Sequence, residues 1–153
     1  MSAPDLCIQE VRDEWQLKQF VLFPWQIYRG DPNWVPPLWS RRLAYFDRAK
    51  SPFFQEGDAA LFLALRSDQV VGTIAPSINY VANEYLQQKV GSFGFFEAIN
   101  DYDVACTLFD AARGWLRERG VVVMRGPYNF GNNDDPGFLI GGDNCPPVML
   151  EAH

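Results

Sequence analysis

The stretch GSFGFFEAINDYDVACTLFDAARGWLRERGVVVMRG, residues 91–126, decides how this chain folds. Residues 92–99 are rich in Phe and read as a strand. From Asp101 to Arg119 the apolar residues Val104, Ala105, Leu108, Phe109, Ala112, Trp115 and Leu116 recur at helical spacing and define one broad buried face. Asn100 or Asp101 can cap the start of that helix, and Asp103 in the first turn suits the helix dipole. Gly120 follows the last periodic residue, where a left-handed cap is expected. Residues 121–124, VVVM, are a β-branched strand. Strand, helix and strand with short connections form a parallel crossover.

Moving toward the N-terminus, the apolar runs 59–65 and 69–74 are separated by Arg66-Ser67-Asp68, the pattern of an antiparallel hairpin. Residues 77–88 are ambiguous between strand and a short helix. Leu6, Ile8 and Val11 make a first strand, and a helical pattern opens at Asp13. Pro24 removes a backbone donor inside that pattern, so two short helical pieces are expected. A turn at residues 30–33 leads to Pro36-Pro37, which opens a second helix over residues 38–48, and Ser51-Pro52 ends it. Residues 126–147 hold five Gly, four Asn, three Asp and four Pro and read as loop.

The whole chain has 153 residues, 48% apolar and 15% aromatic, enough for a substantial core. Its net charge of −6 argues against general nucleic-acid binding, which needs a surplus of basic groups. No apolar run approaches the roughly 20 residues of a membrane span, and residues 1–12 carry acids where a secretory signal has an apolar centre. Three scattered cysteines suit a reducing cytoplasm rather than a disulfide framework. His153 is the only histidine, so acid–base chemistry within the fold falls to carboxylates, Tyr, Cys, Lys or water. No metal site is expected: Asp134 and Asp135 lack the alternating ligands and bidentate Glu of a calcium loop.

FPWQIYRGDPNWVPPL (residues 23–38), SPFF (51–54), GSFGFFEAIND (91–101) and RGPYNFGNNDDPG (125–137), in this order of elements, resemble a bacterial GNAT-related family of largely uncharacterised activity. The resemblance implies an α+β fold with a mixed central sheet flanked by helices, incomplete at its C-terminus. Residues 1–125 would form the core and residues 126–153 a Gly/Asn/Pro-rich tail of the same domain. It also implies N-acyl transfer from acetyl-CoA or another acyl-CoA to a small amine. In GNAT enzymes a Gly-rich R/Q-x-x-G-x-G/A segment before the long helix holds the CoA pyrophosphate on backbone N–H groups. Here residues 97–104 hold no glycine and three carboxylates, Glu97, Asp101 and Asp103. Two unit charges 6 Å apart repel by about 3 kcal/mol at an effective dielectric of about 20, so ordinary CoA binding at this loop is not expected.

The resemblance places a carboxylate base on the Phe-rich strand, which makes Glu97 the candidate base, with Tyr128 as the candidate proton donor. Asn129 and Asn132 lie in a polar, flexible segment and can hydrogen-bond a substrate amide. Each also has a plainer reading: Glu97 as a solvated strand end, Tyr128 as a packed aromatic, the asparagines as turn formers. Trp25, Tyr28, Trp34 and Trp39 crowd together with Arg29, Arg41 and Arg42, either as a ligand surface or as core, with Trp25 and Trp39 expected in the core. Cys106 is read as a small structural residue. A groove is expected between residues 93–99 and 121–125. The other reading of the chain is a noncatalytic binding module whose exposed sheet edge pairs with a partner or a second copy.

Overall fold

The computed structural model describes residues 6–131, 136–141 and 144. The elements in chain order are β1 (Leu6–Glu10), α1 (Glu14–Ile27), α2 (Trp39–Phe46), α3 (Phe53–Glu56), β2 (Gly57–Ala59), β3 (Phe62–Arg66), β4 (Gln69–Asn79), α4 (Tyr80–Tyr85), β5 (Val90–Ala98), α5 (Tyr102–Glu118) and β6 (Val123–Arg125). They form an α/β fold on a six-stranded sheet in the order β1-β3-β4-β5-β6, with β2 paired to the far end of β4. Every pairing is antiparallel except β5 with β6, which is the parallel crossover expected around α5.

The β3–β4 hairpin turns at Ser67 and Asp68, both at positive φ, the conformation a two-residue hairpin loop with right-handed twist requires. β4 is the centre of the sheet and is buried from Val71 to Ile78, because α5 covers one face and α1, α2 and α3 cover the other. On the α5 side, Val104, Leu108 and Ala112 meet Ala64, Val71, Ile74 and Phe93. α5 ends as its sequence implies: Gly120 adopts φ 75°, and the Val121 N–H returns to the Leu116 carbonyl at 3.1 Å.

Four expectations are corrected. α1 runs unbroken through Pro24, and Tyr28 N–H still reaches the Pro24 carbonyl at 2.9 Å. The one bond lost at proline is offset by burial of Phe20 and Val21 against Leu63 and Ala75 and by the complete burial of Phe23. Ser51-Pro52 does not end α2, which stops at Phe46; Pro52 instead opens the single turn of α3. The apolar run 59–65 is two strands, since the chain leaves β2 at Ala59 and re-enters the sheet as β3 at Phe62. Trp39 is exposed rather than core, while Trp25 is half-buried.

Residues 126–131 form neither helix nor strand, as the composition implies, yet they are packed. Phe130 is 7% exposed and stacks on Phe53 and Tyr45 with ring centroids 4.6 and 5.3 Å away. Phe130 thereby closes the α2–α3 side of the core.

Candidate functional site

The site is set by an irregularity in β5. Thr73 of β4 pairs with Glu97 and Ala75 with Gly94, so three steps along β5 match two along β4. The extra residue is a β-bulge, with Phe95 at φ 47°. In a regular strand Phe93 and Phe96 would point to opposite faces. Here both pack on Phe109 of α5, with centroids 5.0 and 4.8 Å away. Phe95 and Glu97 are turned to the other face, toward α1 and α2. A hydrophobic strand thus delivers one carboxylate beneath the helices.

The bulge is held from both sides. Thr73 Oγ1 donates to the Phe95 carbonyl at 2.9 Å, and the Phe95 N–H donates to Asn129 Oδ1 at 2.8 Å. Tyr45 donates its hydroxyl to the Asn129 carbonyl, and Tyr128 N–H reaches the Phe93 carbonyl at 2.7 Å. Gly94 lets the tail come this close: a Cβ there would lie 2.2 Å from the Tyr128 carbonyl oxygen.

Glu97 is half-buried, and Tyr28 at the end of α1 donates its hydroxyl to Glu97 Oε2 at 2.7 Å. Burial pushes the Glu97 carboxyl above the ordinary glutamate range, against the opposing pull of the Tyr28 hydrogen bond and the Arg42 charge. Tyr28 is pushed well above the ordinary phenol range, first by burial and then by the Glu97 charge. The Tyr28 ring lies 5.2 Å from Trp34, which meets Trp25 edge-on at 5.3 Å. Arg42 lies over the Phe95 ring at 5.3 Å.

Where β5 ends, an open groove of about 800 Å³ runs between the last turn of α1 and the first turn of α5. Gln26, Ile27, Phe96, Ala98, Ile99, Asn100, Asp101, Tyr102 and Ala105 line it. This is not the groove expected between the strands. Among the described residues β6 pairs with Val90–Ser92, and the segment around Tyr128 lies beside β5 beyond that point. At the mouth of the groove Asp101 caps its own helix, with Oδ1 accepting from Asp103 N–H at 3.0 Å and Val104 N–H at 3.4 Å. Its Oδ2 accepts from Arg66 Nη1 at 2.8 Å. Arg66 above all, helped by those N–H groups, holds the Asp101 carboxyl below the usual carboxylate range. Two of the donors that a helix N-terminus offers to a pyrophosphate, the Asp103 and Val104 N–H groups, are therefore occupied by a carboxylate.

The structure brings Glu97 together with Tyr28 and Arg42, two members of the aromatic and basic cluster whose link to Glu97 the sequence did not reveal. Tyr128 and Asn129 sit on the tail beside β5; no described residue takes the Tyr128 hydroxyl. Asn129 Oδ1 is engaged by the bulge. Asn132, Asp134, Asp135, Cys145 and His153 lie outside the described residues. Among the described residues no group of three or more His, Cys, Asp or Glu could hold a metal ion, and no helix is long and apolar enough to cross a membrane. The missed bulge had one signal, Gly94 inside the Phe-rich run 93–96.

No protein-family model matches the chain. It is 35% identical over 150 residues to a bacterial ceramide synthase of Caulobacter vibrioides, covering 97% of this chain and 39% of that protein. It is also 35% identical over 137 residues to Protein YghO of Escherichia coli, covering 90% of this chain and 35% of that protein. The chain thus spans little more than a third of the length of these curated relatives. Among solved structures, it superposes on a tandem GNAT protein from the clavulanic acid biosynthesis pathway with a TM-score of 0.60 at 12% identity, covering 76% of this chain and 34% of that one. The chain has the GNAT fold, and over nearly its whole length it is similar to part of two longer bacterial proteins.

Proposed function

We propose that this chain supplies the base and the thioester-binding edge for acyl transfer to an amine. The observation that carries the reading is Glu97, turned by the bulge to the α1–α2 face of β5, half-buried, with its carboxyl pushed above the ordinary glutamate range by burial. A carboxylate displaced toward neutrality suits proton removal from an ammonium or amine near physiological pH. The amine nitrogen attacks the thioester carbonyl, the new C–N bond forms as the C–S bond breaks, Glu97 takes the nitrogen's proton, and the thiol leaves. Tyr128, on the tail beside β5, is the donor proposed for the leaving sulfur. Asn129 holds the bulge rather than the substrate. The relative named as a ceramide synthase favours a long-chain amine as acceptor, since a ceramide is an amide of such an amine.

The residues at the start of α5 do not fit a pyrophosphate, because Asp101 already holds the two N–H groups and Arg66 is bound to it. The donor is accordingly recognised through its thioester arm. Acyl-CoA and the corresponding acyl-pantetheine, which lacks the nucleotide, should react with the chain within about threefold of each other. The test is amide formation and thiol release with both donors and a sphingoid base or a short amine. Glu97→Gln should lower the rate about 10²- to 10⁴-fold. Absence of amide with every pair refutes the reading, and a hundredfold preference for CoA refutes the account of the α5 terminus.

Asp101 on its own helix also favours a second reading, a noncatalytic module. In that case β6, the edge of the sheet among the described residues, with Val123 and the preceding Val122 exposed, pairs with a second copy or another chain. Light scattering that finds only monomer at high concentration would exclude the homodimer.

A further inference from the structure

We infer that Tyr28 is the positioning residue of the Glu97 site, holding the carboxylate in one orientation beneath α1 and α2. The inference rests on Glu97 acting as the base proposed above. Tyr28 and Glu97 are 69 residues apart in sequence, and their bond spans from the end of α1 to the far half of β5. Its 2.7 Å length is that of a well-formed hydroxyl-to-carboxyl hydrogen bond. The phenol is fixed before it reaches Glu97. Its backbone N–H closes α1 on the Pro24 carbonyl, its own carbonyl receives the Asp31 N–H, and its ring lies against Trp34. Trp34 is braced in turn by Trp25. The donor is thus set by packing, and the carboxylate adapts to it.

Three described residues face Glu97. α1 contributes Tyr28, α2 contributes the Arg42 charge, and on β4 the paired Thr73 has its hydroxyl on the Phe95 carbonyl. Asp31 acts on Tyr28 rather than on Glu97. Burial favours the protonated acid, and among the described residues the Tyr28 hydrogen bond and the Arg42 charge oppose it. Tyr28 keeps its own proton, because both burial and the neighbouring carboxylate resist phenolate formation. It stays a donor to Oε2 while the other carboxylate oxygen is left to accept the acceptor's proton.

The experiment uses Tyr28→Phe, which removes the hydroxyl and keeps the ring on Trp34. The Glu97 carboxyl carbon is followed by ¹³C NMR during an acid titration of the ligand-free chain, with Glu97→Gln assigning the resonance. The midpoint should move to higher pH in the folded variant. In the acyl-transfer assay the acid limb of the rate profile should move the same way, lowering the rate at its acid end about fivefold, with the high-pH plateau kept within about twofold. If Tyr28→Phe does not fold, Trp34→Leu leaves the phenol but frees it, and should move the midpoint in the same direction. An unchanged or lowered Glu97 midpoint in either folded variant overturns the inference. A raised midpoint in a chain that forms no amide supports the pairing and refutes acyl transfer, so the two failures are told apart.

Discussion

Phe130→Ala tests the claim that positions everything else, that the tail belongs to the core. The Phe130 ring is 7% exposed and lies within 5.8 Å of five aromatic rings, those of Tyr45, Phe46, Phe53, Phe54 and Phe95. A buried Phe removes roughly 200 Å² from water, worth about 5 kcal/mol at 25 cal/mol per Å² as an upper bound. Measured Phe→Ala losses of about 3–5 kcal/mol include the cavity left behind. Partial collapse is hindered because the neighbours come from α2, α3 and β5, so a loss of about 4 kcal/mol is expected. For a domain of this size that lowers the melting temperature by roughly 8–16 °C. Urea unfolding followed by tryptophan fluorescence and circular dichroism gives the value, with Tyr85→Ala, 84% exposed, as a control expected within about 0.5 kcal/mol of the parent. A loss below about 1.5 kcal/mol for Phe130→Ala would mean that the tail is not part of the core, and the clamp on the bulge would lose its anchor.

Two further outcomes follow from the same geometry. Glu97→Gln should leave stability unchanged below the ordinary glutamate pKa and raise it above. The folded chain holds this proton more tightly than the unfolded one, so ionising Glu97 costs stability as the pH rises through the displaced pKa, and glutamine does not ionise. Thermal melts from acid to neutral pH check the sign, and a gain confined to the acid end would contradict it. Asn129→Ala removes the acceptor of the Phe95 N–H and should cost about 1–3 kcal/mol while speeding exchange of that amide. Asn129→Asp keeps an acceptor oxygen and should cost less. Equal exchange rates in both variants would show that Oδ1 does not hold the bulge.

The parts of the fold that the sequence made legible are those built from repetition. α5 shows a helical stripe ended by Gly120, the β3–β4 hairpin shows two apolar runs around a short polar turn, and the valines after the cap lead into β6, which starts at Val123, two residues later than the expected strand at 121–124. Each is a local pattern that burial on one face enforces. Pro24 misled because local chemistry predicts a break, whereas the three buried residues around it decide the outcome at the level of the sheet. Phe130 misled in the opposite sense. A single aromatic in a run of Gly, Asn and Pro has no period, and only the cavity offered by Tyr45, Phe53 and Phe54 explains its burial.

The site depends on one extra residue in β5. With regular alternation, Phe93 and Phe96 could not share Phe109, and Glu97 would face α5 instead of Tyr28. No periodicity analysis assigns that phase, because the bulge is stabilised by Thr73 and Asn129, which are distant in sequence. Asp101 is the reverse case, where composition pointed to the right residue for an incomplete reason. The sequence marks it as charge placed where a phosphate would sit. The structure adds that its two oxygens have separate duties, one capping α5 and the other tying that helix to Arg66 at the end of β3. An incoming pyrophosphate would therefore have to displace a folded-state contact as well as overcome a charge. The same residue that favours folding of this chain disfavours a nucleotide at the mouth of its groove.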